Sequence, residues 1–213
     1  MENSNRHDYS VSEQNKIYII GSKGVGKTSL FHLIFSKPFS EDIESSEIGI
    51  IKSNYKYGLK EFTIKELTDD DNFTYTNKLK NELEDILIIF VLFSYDDSNS
   101  FDKAKNLIQF VKNNLINNKE LKIVLLGNKY DLYQNIITNI NLDENEIKKY
   151  ADSIDNMNLI NISCKTNHNI DQVKNLINNI EIEEEKEDDD GNLDEEERKT
   201  KVEKAQERSC ICF

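Results

Sequence analysis

The chain has 213 residues, a formal net charge of −13 at pH 7 and a sequence pI near 4.8. This length accommodates one domain with a sizeable core plus tails. The acidic balance argues against nucleic acid or an anionic membrane surface as the main partner, so no nucleic-acid partner is expected. Much of the acid lies in residues 181–197, which read EIEEEKEDDDGNLDEEE and cannot bury apolar surface.

Composition predicts three segments: a polar tail at residues 1–15, a folded domain at 16–180 and an acidic tail at 181–213. The three cysteines have no paired spacing, and neither a secretory leader nor an apolar run of about 18 residues is present. We therefore expect a monomer in the cytoplasm.

Apolar, β-branched runs predict six strands, at residues 17–20, 48–55, 59–67, 86–93, 123–126 and 159–162. Tyr57-Gly58 predicts a hairpin turn between the second and third strands. A helix is expected from Ser29 to Phe35, and apolar residues recur at helical spacing over 101–115 and 170–180.

Two polar pairs predict helix starts. Asp143 with Glu146, and Asn169 with Gln172, have the spacing of an N-cap and a third-position side chain that satisfy exposed amides. Alternating strands and helices after the hairpin predict an α/β fold: a six-stranded, mostly parallel sheet with one antiparallel hairpin strand and helices on both faces. Loops at the carboxyl ends of the strands then form the ligand crevice.

The most informative motif, GSKGVGKT at residues 21–28, joins the first strand to the first helix. Glycines let backbone N–H groups converge on an anion, and the helix N-terminus adds a favourable field, so the loop is predicted to cradle phosphates. Lys27 is predicted to reach the β- and γ-phosphates, and the Thr28 hydroxyl to bind Mg²⁺. The predicted nucleotide contacts in this segment are Gly21, Lys23, Gly24, Val25, Gly26, Lys27, Thr28 and Ser29.

Two later motifs bear on which base is bound: GNKYD at residues 127–131, and Ser163-Cys164-Lys165 after the last predicted strand. Together with the phosphate loop they resemble the Ras superfamily of small GTPases, whose guanine-specificity motifs are Asn-Lys-x-Asp and Ser-Ala-Lys. The resemblance covers residues 16 to about 180. It implies a P-loop NTPase with the small-GTPase G domain, GTP or GDP and Mg²⁺ as cofactors, and an exchange factor, an activating protein and effectors as partners.

The resemblance also implies roles for the base-site residues. Asp131 accepts hydrogen bonds from the N1–H and the exocyclic amine of guanine, which adenine cannot offer together. Asn128 ties the base-binding loop to the phosphate loop, the Lys129 stem packs along the ring, and Phe39 packs edge-on to the base. The remaining base-site residues are Ser163, Cys164 and Lys165, with backbone amides around the last two meeting the guanine oxygen.

Within the superfamily the chain most resembles Rab proteins, through Ile48-Gly49, Ser100-Phe101 and two C-terminal cysteines. That resemblance implies a membrane-attached regulator of vesicle traffic. Lys52 and Lys65 stand where Rab proteins carry aromatic residues, which alters the apolar patch that such proteins present to effectors.

The γ-phosphate-sensing residues depart from the family pattern. In place of Asp-x-x-Gly-Gln, whose Asp holds Mg²⁺ through water, the chain has Glu66-Leu67-Thr68-Asp69-Asp70, without the Gly or the Gln. Glu66 can still reach the metal shell. Ser46, nineteen residues after Lys27, takes the place of the Mg²⁺-binding Thr, with Glu47 as the alternative, so the predicted metal ligands are Thr28 and Ser46.

Lys23 and Asp70 are the only candidate catalytic residues at this stage, because they occupy positions that lie near the attacking water in the family. We expect slow GTP hydrolysis; the alternative is a pseudo-GTPase, a nucleotide-binding interaction module without useful turnover. A third interpretation, an ATPase or small-molecule kinase, is disfavoured by the motif at 128–131.

The last four residues, Cys210-Ile211-Cys212-Phe213, fit a Cys-a-a-X box and also the doubly prenylated ends of Rab proteins. We expect lipid on Cys210 and Cys212, which would place the protein on the cytosolic face of an intracellular membrane.

Overall fold

Strands and helices alternate along most of the chain. The computed structural model describes residues 15–41, 49–58, 60–68, 86–114, 121–135, 142–155 and 157–180. In chain order the elements are β1 (Lys16–Gly21), α1 (Lys27–Ile34), β2 (Gly49–Tyr57), β3 (Lys60–Thr68), β4 (Ile86–Ser94), α2 (Ser98–Asn114), β5 (Lys122–Asn128), α3 (Tyr130–Asn135), α4 (Glu144–Asp152), β6 (Met157–Asn161) and α5 (Ile170–Asn178).

The strands form one six-stranded sheet in the order β2-β3-β1-β4-β5-β6. Only β2 and β3 pair antiparallel, with Gly49 opposite Thr68 and Tyr57 opposite Lys60, whereas the other neighbouring strands run parallel. Gly58 follows β2 with a φ of +61°, a backbone that suits glycine in a tight turn. The predicted α/β sheet with its one antiparallel hairpin strand is confirmed.

The core lies on both faces of the sheet. On one face, side chains of β1 and β4 such as Tyr18, Ile20 and Phe93 pack in a single cluster with α2 and with Ile147 of α4. On the other face, α1 contacts β1 and β3 and also meets α5. The predicted apolar stripe of α2 is buried at Phe101, Ala104, Leu107, Ile108 and Val111, and its last member, Leu115, lies outside the described residues.

The end of β6 and the segment after β5 differ from the prediction. β6 begins two residues earlier than expected and ends at Asn161, so Ile162 lies just past the strand. Ile162 nevertheless continues the hydrogen bonding between this segment and the β5 segment. Its N–H donates to Gly127 O (2.8 Å), and its carbonyl accepts from the Tyr130 N–H (3.1 Å). The base-binding motif continues into the short helix α3, which the polar sequence did not predict.

Of the predicted pair Asp143 and Glu146, the N-cap contact of Asp143 is present. The Asp143 carboxylate accepts the Asn145 N–H (2.9 Å) at the start of α4. At Asn169 the predicted helix start is confirmed, since α5 begins at Ile170, but the predicted cap bond is wrong: the backbone of Asn169 is left-handed (φ +57°) and its side chain makes no cap bond. Its amide instead donates to Asn161 O (2.8 Å) and accepts from Gln172 Nε2 (2.9 Å), because this backbone aims the side chain at β6 rather than at the amides of α5.

The predicted tails lie outside the described residues except for Asn15, whose carbonyl accepts the Thr63 N–H (3.2 Å). The domain boundaries therefore stay a prediction. Among the residues that the structure describes, no helix is long and apolar enough to cross a bilayer.

Lys60 joins the β2–β3 hairpin to the end of α5. Its Nζ donates to the carbonyl of Ile180 (2.6 Å) and, at longer range, to that of Asn178 (3.4 Å). The last carbonyls of a helix have no partner within the helix and carry its negative dipole end, so an ammonium group is well placed there.

We predict that Lys60→Met lowers the free energy of unfolding by about 1 to 2 kcal/mol, because carbonyls lose a charged donor. Lys56→Met is the matched control, since the pair of Lys56 with Glu61 (3.2 Å) is exposed and should contribute less than about 0.5 kcal/mol. Denaturant unfolding of the purified variants measures both. Equal losses for the two variants would contradict the role given to Lys60.

Candidate nucleotide-binding site

The candidate site lies along the edge where the parallel strands end. The phosphate loop follows β1, and the base-site motifs follow β5 and β6, whose ends are adjacent in the sheet. Strand order places β4 between β1 and β5. The fold thus brings three motifs that are far apart in sequence to one edge, where open α/β sheets bind ligands.

The phosphate loop depends on glycine at Gly24 and Gly26. Both have left-handed backbones, with φ of +81° and +97°. At Gly26 a Cβ would also overlap Nδ2 of Asn128, so this position tolerates no side chain. Its carbonyl accepts the Leu30 N–H (3.0 Å), which starts α1 immediately after the loop.

The two functional side chains at the start of α1 are held in the loop. Lys27 is 7% exposed, and its Nζ donates to Ser22 O (2.9 Å), so the ammonium lies over the loop. The Thr28 hydroxyl donates to Oε1 of Glu66 (2.7 Å), which connects the loop to β3. Lys23 is exposed at the turn of the loop, and Ser29 lies in the first turn of α1.

Two buried side-chain oxygens next to this loop lack a hydrogen-bond partner within the described part of the chain: Oγ of Ser22 and Oε2 of Glu66. Glu66 is only 1% exposed. Burial raises the pKa of its carboxyl group, against the lowering effects of the Thr28 hydrogen bond and the Lys27 charge. Buried polar atoms are rarely left unpaired, so both oxygens point to a ligand at this place.

Asn128 links all three motifs through one side chain. Its Nδ2 donates to Val25 O in the phosphate loop (2.8 Å), and its Oδ1 accepts the Cys164 N–H (3.1 Å). The residue is 2% exposed, and the Tyr95 N–H donates to its carbonyl (3.0 Å). The tie between base loop and phosphate loop that was inferred from the resemblance is therefore present as a pair of hydrogen bonds.

Asp131 lies in the first turn of α3 and is anchored to the last motif. The Ser163 hydroxyl donates to its Oδ1 (2.6 Å) and accepts the Thr166 N–H (3.1 Å). Ser163 is completely buried. One carboxylate oxygen of Asp131 is thus fixed by the protein, which orients the group without consuming all of its acceptor capacity.

Each of the two base-site lysines pairs with a carboxylate outside the motifs. Lys129 Nζ lies 2.9 Å from Asp96 Oδ2, and the Ser94 hydroxyl also donates to Asp96. Burial alone would raise the pKa of Asp96, but the hydrogen bonds from Ser94 and Lys129 outweigh it and hold that pKa below its usual range. Sequence reasoning missed Asp96, although its place just after β4, at the same sheet edge, could have indicated it.

Lys165 Nζ lies 2.7 Å from Glu41 Oε1, and both side chains are more than half exposed. The hydrogen bond and the positive charge of Lys165 lower the pKa of Glu41. Glu41 comes two residues after the half-buried Phe39, so this pair brings the segment that carries Phe39 to the loop that carries Lys165. Glu41 had no motif to mark it and was also missed.

Cys164 is a packing residue. Its side chain is 3% exposed, and burial raises the pKa of its thiol to about 12. A thiol that stays protonated at neutral pH is a poor nucleophile.

A network of polar and aromatic side chains packs against the base-binding loop, residues 127–131. The Tyr95 hydroxyl donates to Asn161 Oδ1 (2.8 Å), whose amide donates to Glu144 Oε1 (2.8 Å). The Tyr130 hydroxyl reaches the same carboxylate (3.3 Å), and the rings of Tyr95 and Tyr130 pack 5.3 Å apart. This network fixes the position of Tyr130, which stands between Lys129 and Asp131 in the base-binding motif.

The remaining predicted residues lie outside the described part of the chain: Ser46, Asp70, Cys210 and Cys212. Their predicted roles in metal binding, catalysis and lipid attachment stay predictions.

Comparison with known proteins supplies the family. The family model described as Ras family matches residues 16–182, which include every element of the sheet and all three motifs. A search of curated proteins found no match. Because the matched region spans most of the chain, the protein is a member of the Ras family of small GTPases.

Proposed function

We propose that this protein is a Rab-like small GTPase that binds GTP and GDP with Mg²⁺, hydrolyses GTP slowly and regulates vesicle traffic from a membrane. The observation that carries the nucleotide part is the double hydrogen bond of Asn128, to Val25 O and from Cys164 N–H. These bonds hold the phosphate loop at a fixed distance from the two base-site loops. A guanine nucleotide needs such a fixed distance, because its phosphates and its base bind to different loops.

Guanine selectivity is assigned to Asp131. The carboxylate would accept the N1–H and the exocyclic amine of guanine, and with ATP it would be left without those donors. The Ser163 hydroxyl fixes one of its oxygens at 2.6 Å and so orients the acceptor in advance. Lys129, held by Asp96 at 2.9 Å, is assigned the contact along the purine ring.

Mg²⁺ fits the residues at the start of α1. Thr28 supplies a hydroxyl oxygen, and the partnerless Oε2 of Glu66 supplies buried negative charge beside it. A hard divalent cation prefers such oxygen ligands, completed by phosphate oxygens and water. When bound, the cation would neutralise charge on the terminal phosphates, while Lys27 binds the same phosphates with its ammonium group.

Slow hydrolysis is proposed from the sequence after Glu66. The family positions the attacking water with a Gln and touches the γ-phosphate with a Gly amide, and this chain has Asp70 and Asp69 there. Two carboxylates near an anionic phosphate repel it and offer no amide side chain to orient water. The same feature favours a second candidate, a pseudo-GTPase that uses bound nucleotide only as a structural ligand.

Membrane attachment is proposed from Cys210-Ile211-Cys212-Phe213. One prenyl chain alone gives marginal membrane affinity, and the neighbouring basic residues are diluted by acidic ones, so lipid on both thiols is the arrangement that anchors stably. We propose the cytosolic face of an intracellular membrane as the location.

We predict that Asp131→Ala lowers the preference for GTP over ATP by at least about a hundredfold, because the acceptor for two guanine donors is lost. Competition binding with fluorescent nucleotide measures this preference. Asp102→Ala, which removes an exposed carboxylate on α2, is the control and should retain the preference. An unchanged preference in Asp131→Ala would refute the assignment.

We predict that the purified protein hydrolyses GTP in single turnover more slowly than about 10⁻⁴ s⁻¹ without a partner protein. The double variant Asp69→Gly and Asp70→Gln restores the family residues and should raise the rate about tenfold. A wild-type rate of about 3 × 10⁻⁴ s⁻¹ or faster, which matches a relative that carries the Gln, would contradict the proposal of slow hydrolysis. No turnover over days, with nucleotide still bound, would support the pseudo-GTPase.

We predict that protein isolated from its own cells carries prenyl groups on Cys210 and Cys212, as read by mass spectrometry of the C-terminal peptide. Changing both cysteines to Ser should move the protein from the membrane fraction to the soluble fraction. Two unmodified thiols would contradict membrane attachment by this route.

A further inference from the structure

Glu66 is a buried carboxylate placed directly beside the phosphate loop. It lies in β3 opposite Ile19 of β1, the strand that leads into the loop. Its two oxygens have different surroundings: Oε1 accepts the Thr28 hydroxyl, and Oε2 is buried without a hydrogen-bond partner. The residue is 1% exposed, so solvent does not satisfy the second oxygen.

An unpaired carboxylate oxygen in this place needs a compensating cation. Leaving a charged group buried without its partners is strongly unfavourable, even compared with the stability of a whole domain. The ammonium group of Lys27 donates to Ser22 O (2.9 Å), and Oε2 of Glu66 has no hydrogen bond from it. A divalent cation bound to this carboxylate would supply that charge.

The geometry of Thr28 and Glu66 suits direct coordination by both residues. Thr28 Oγ1 and Glu66 Oε1 lie 2.7 Å apart. Adjacent oxygen ligands of an octahedral Mg²⁺, each at 2.0–2.1 Å from the metal, are separated by about 2.9 Å. Two oxygens already this close can occupy neighbouring positions on one cation after a shift of a few tenths of an ångström.

Side-chain length supports the same conclusion. The family has Asp where this chain has Glu66, and that Asp holds the cation through a water molecule. Glutamate carries one more methylene group and so reaches about 1.5 Å further from the same strand position. This added length would let the carboxylate reach the cation without an intervening water.

The geometry points to Glu66 as a direct ligand of the nucleotide-associated divalent cation, bound next to Thr28 in place of a water molecule. This inference rests on the proposed function, since the cation arrives with the nucleotide. It makes the cation ligand set of this protein more anionic than one with a water at that position. It also makes the ligand set independent of the segment that contains Ser46, because Thr28 and Glu66 both lie on regular elements, α1 and β3.

The test uses the full chain loaded with GDP and Mn²⁺, a paramagnetic substitute for Mg²⁺. Broadening of the Mn²⁺ EPR signal in ¹⁷O-labelled water counts the water molecules bound to the metal. We expect one water fewer in the wild type than in Glu66→Asp, whose shorter side chain restores the water. Equal water counts in the two proteins would overturn the inference.

A second measurement covers the case in which Glu66→Asp fails to fold. Glu66→Gln keeps the size and the acceptor for Thr28 but removes the charge, so we expect a loss in Mn²⁺ affinity of the GDP complex together with one more Mn²⁺-bound water than in the wild type. A carboxylate that acted only through water would lose affinity without a change in the water count, and that result would also overturn the inference. Glu61→Gln, an exposed position on the same strand, is the control and should leave the affinity unchanged. An unchanged affinity in Glu66→Gln would overturn the inference.

Nucleotide retention is measured first, by chromatography of the denatured protein. If GDP is bound and the Glu66 variants behave like the wild type, only the ligand role of Glu66 fails. If no guanine nucleotide binds, the proposed function fails and this inference fails with it.

Discussion

The two hydrogen bonds of the Asn128 side chain are the constraint on which the geometry of the site depends. They join loops that are more than a hundred and about thirty-six residues apart along the chain, and they do so in the core, where competing water is excluded. This arrangement excludes a side chain at Gly26, because a Cβ there would overlap Nδ2 of Asn128. Replacement of either residue would therefore disturb the phosphate loop and the base loop together.

The polar contacts near the phosphate loop are more deeply buried than those at the outer rim of the site. Near the phosphate loop, Lys27 and Glu66 are almost fully buried, so their charges act in a medium of low effective dielectric constant. At the outer rim, Lys165 and Glu41 are largely exposed, and salt screens their attraction. The charged contacts of the inner site are accordingly stronger than the exposed pair at the rim.

The sequence was sufficient to predict the sheet, the hairpin and the motif positions, because strand periodicity and glycine spacing are local signals. The sequence was insufficient where a side chain contacts a residue that is far away along the chain. Asp96 and Glu41 carry no motif, and only the fold places them beside Lys129 and Lys165. Asn169 had the right spacing for a helix cap, but its left-handed backbone directed the side chain to β6. Long-range contacts and local backbone geometry thus account for what was missed.

The buried, protonated thiol of Cys164 has a practical consequence. The chain contains three cysteines, and the other two are Cys210 and Cys212. A maleimide reagent at neutral pH attacks thiolates and will spare Cys164 in the folded protein. Labelling of Cys164, identified by the mass of its peptide, would therefore serve as a simple signal that the domain has unfolded.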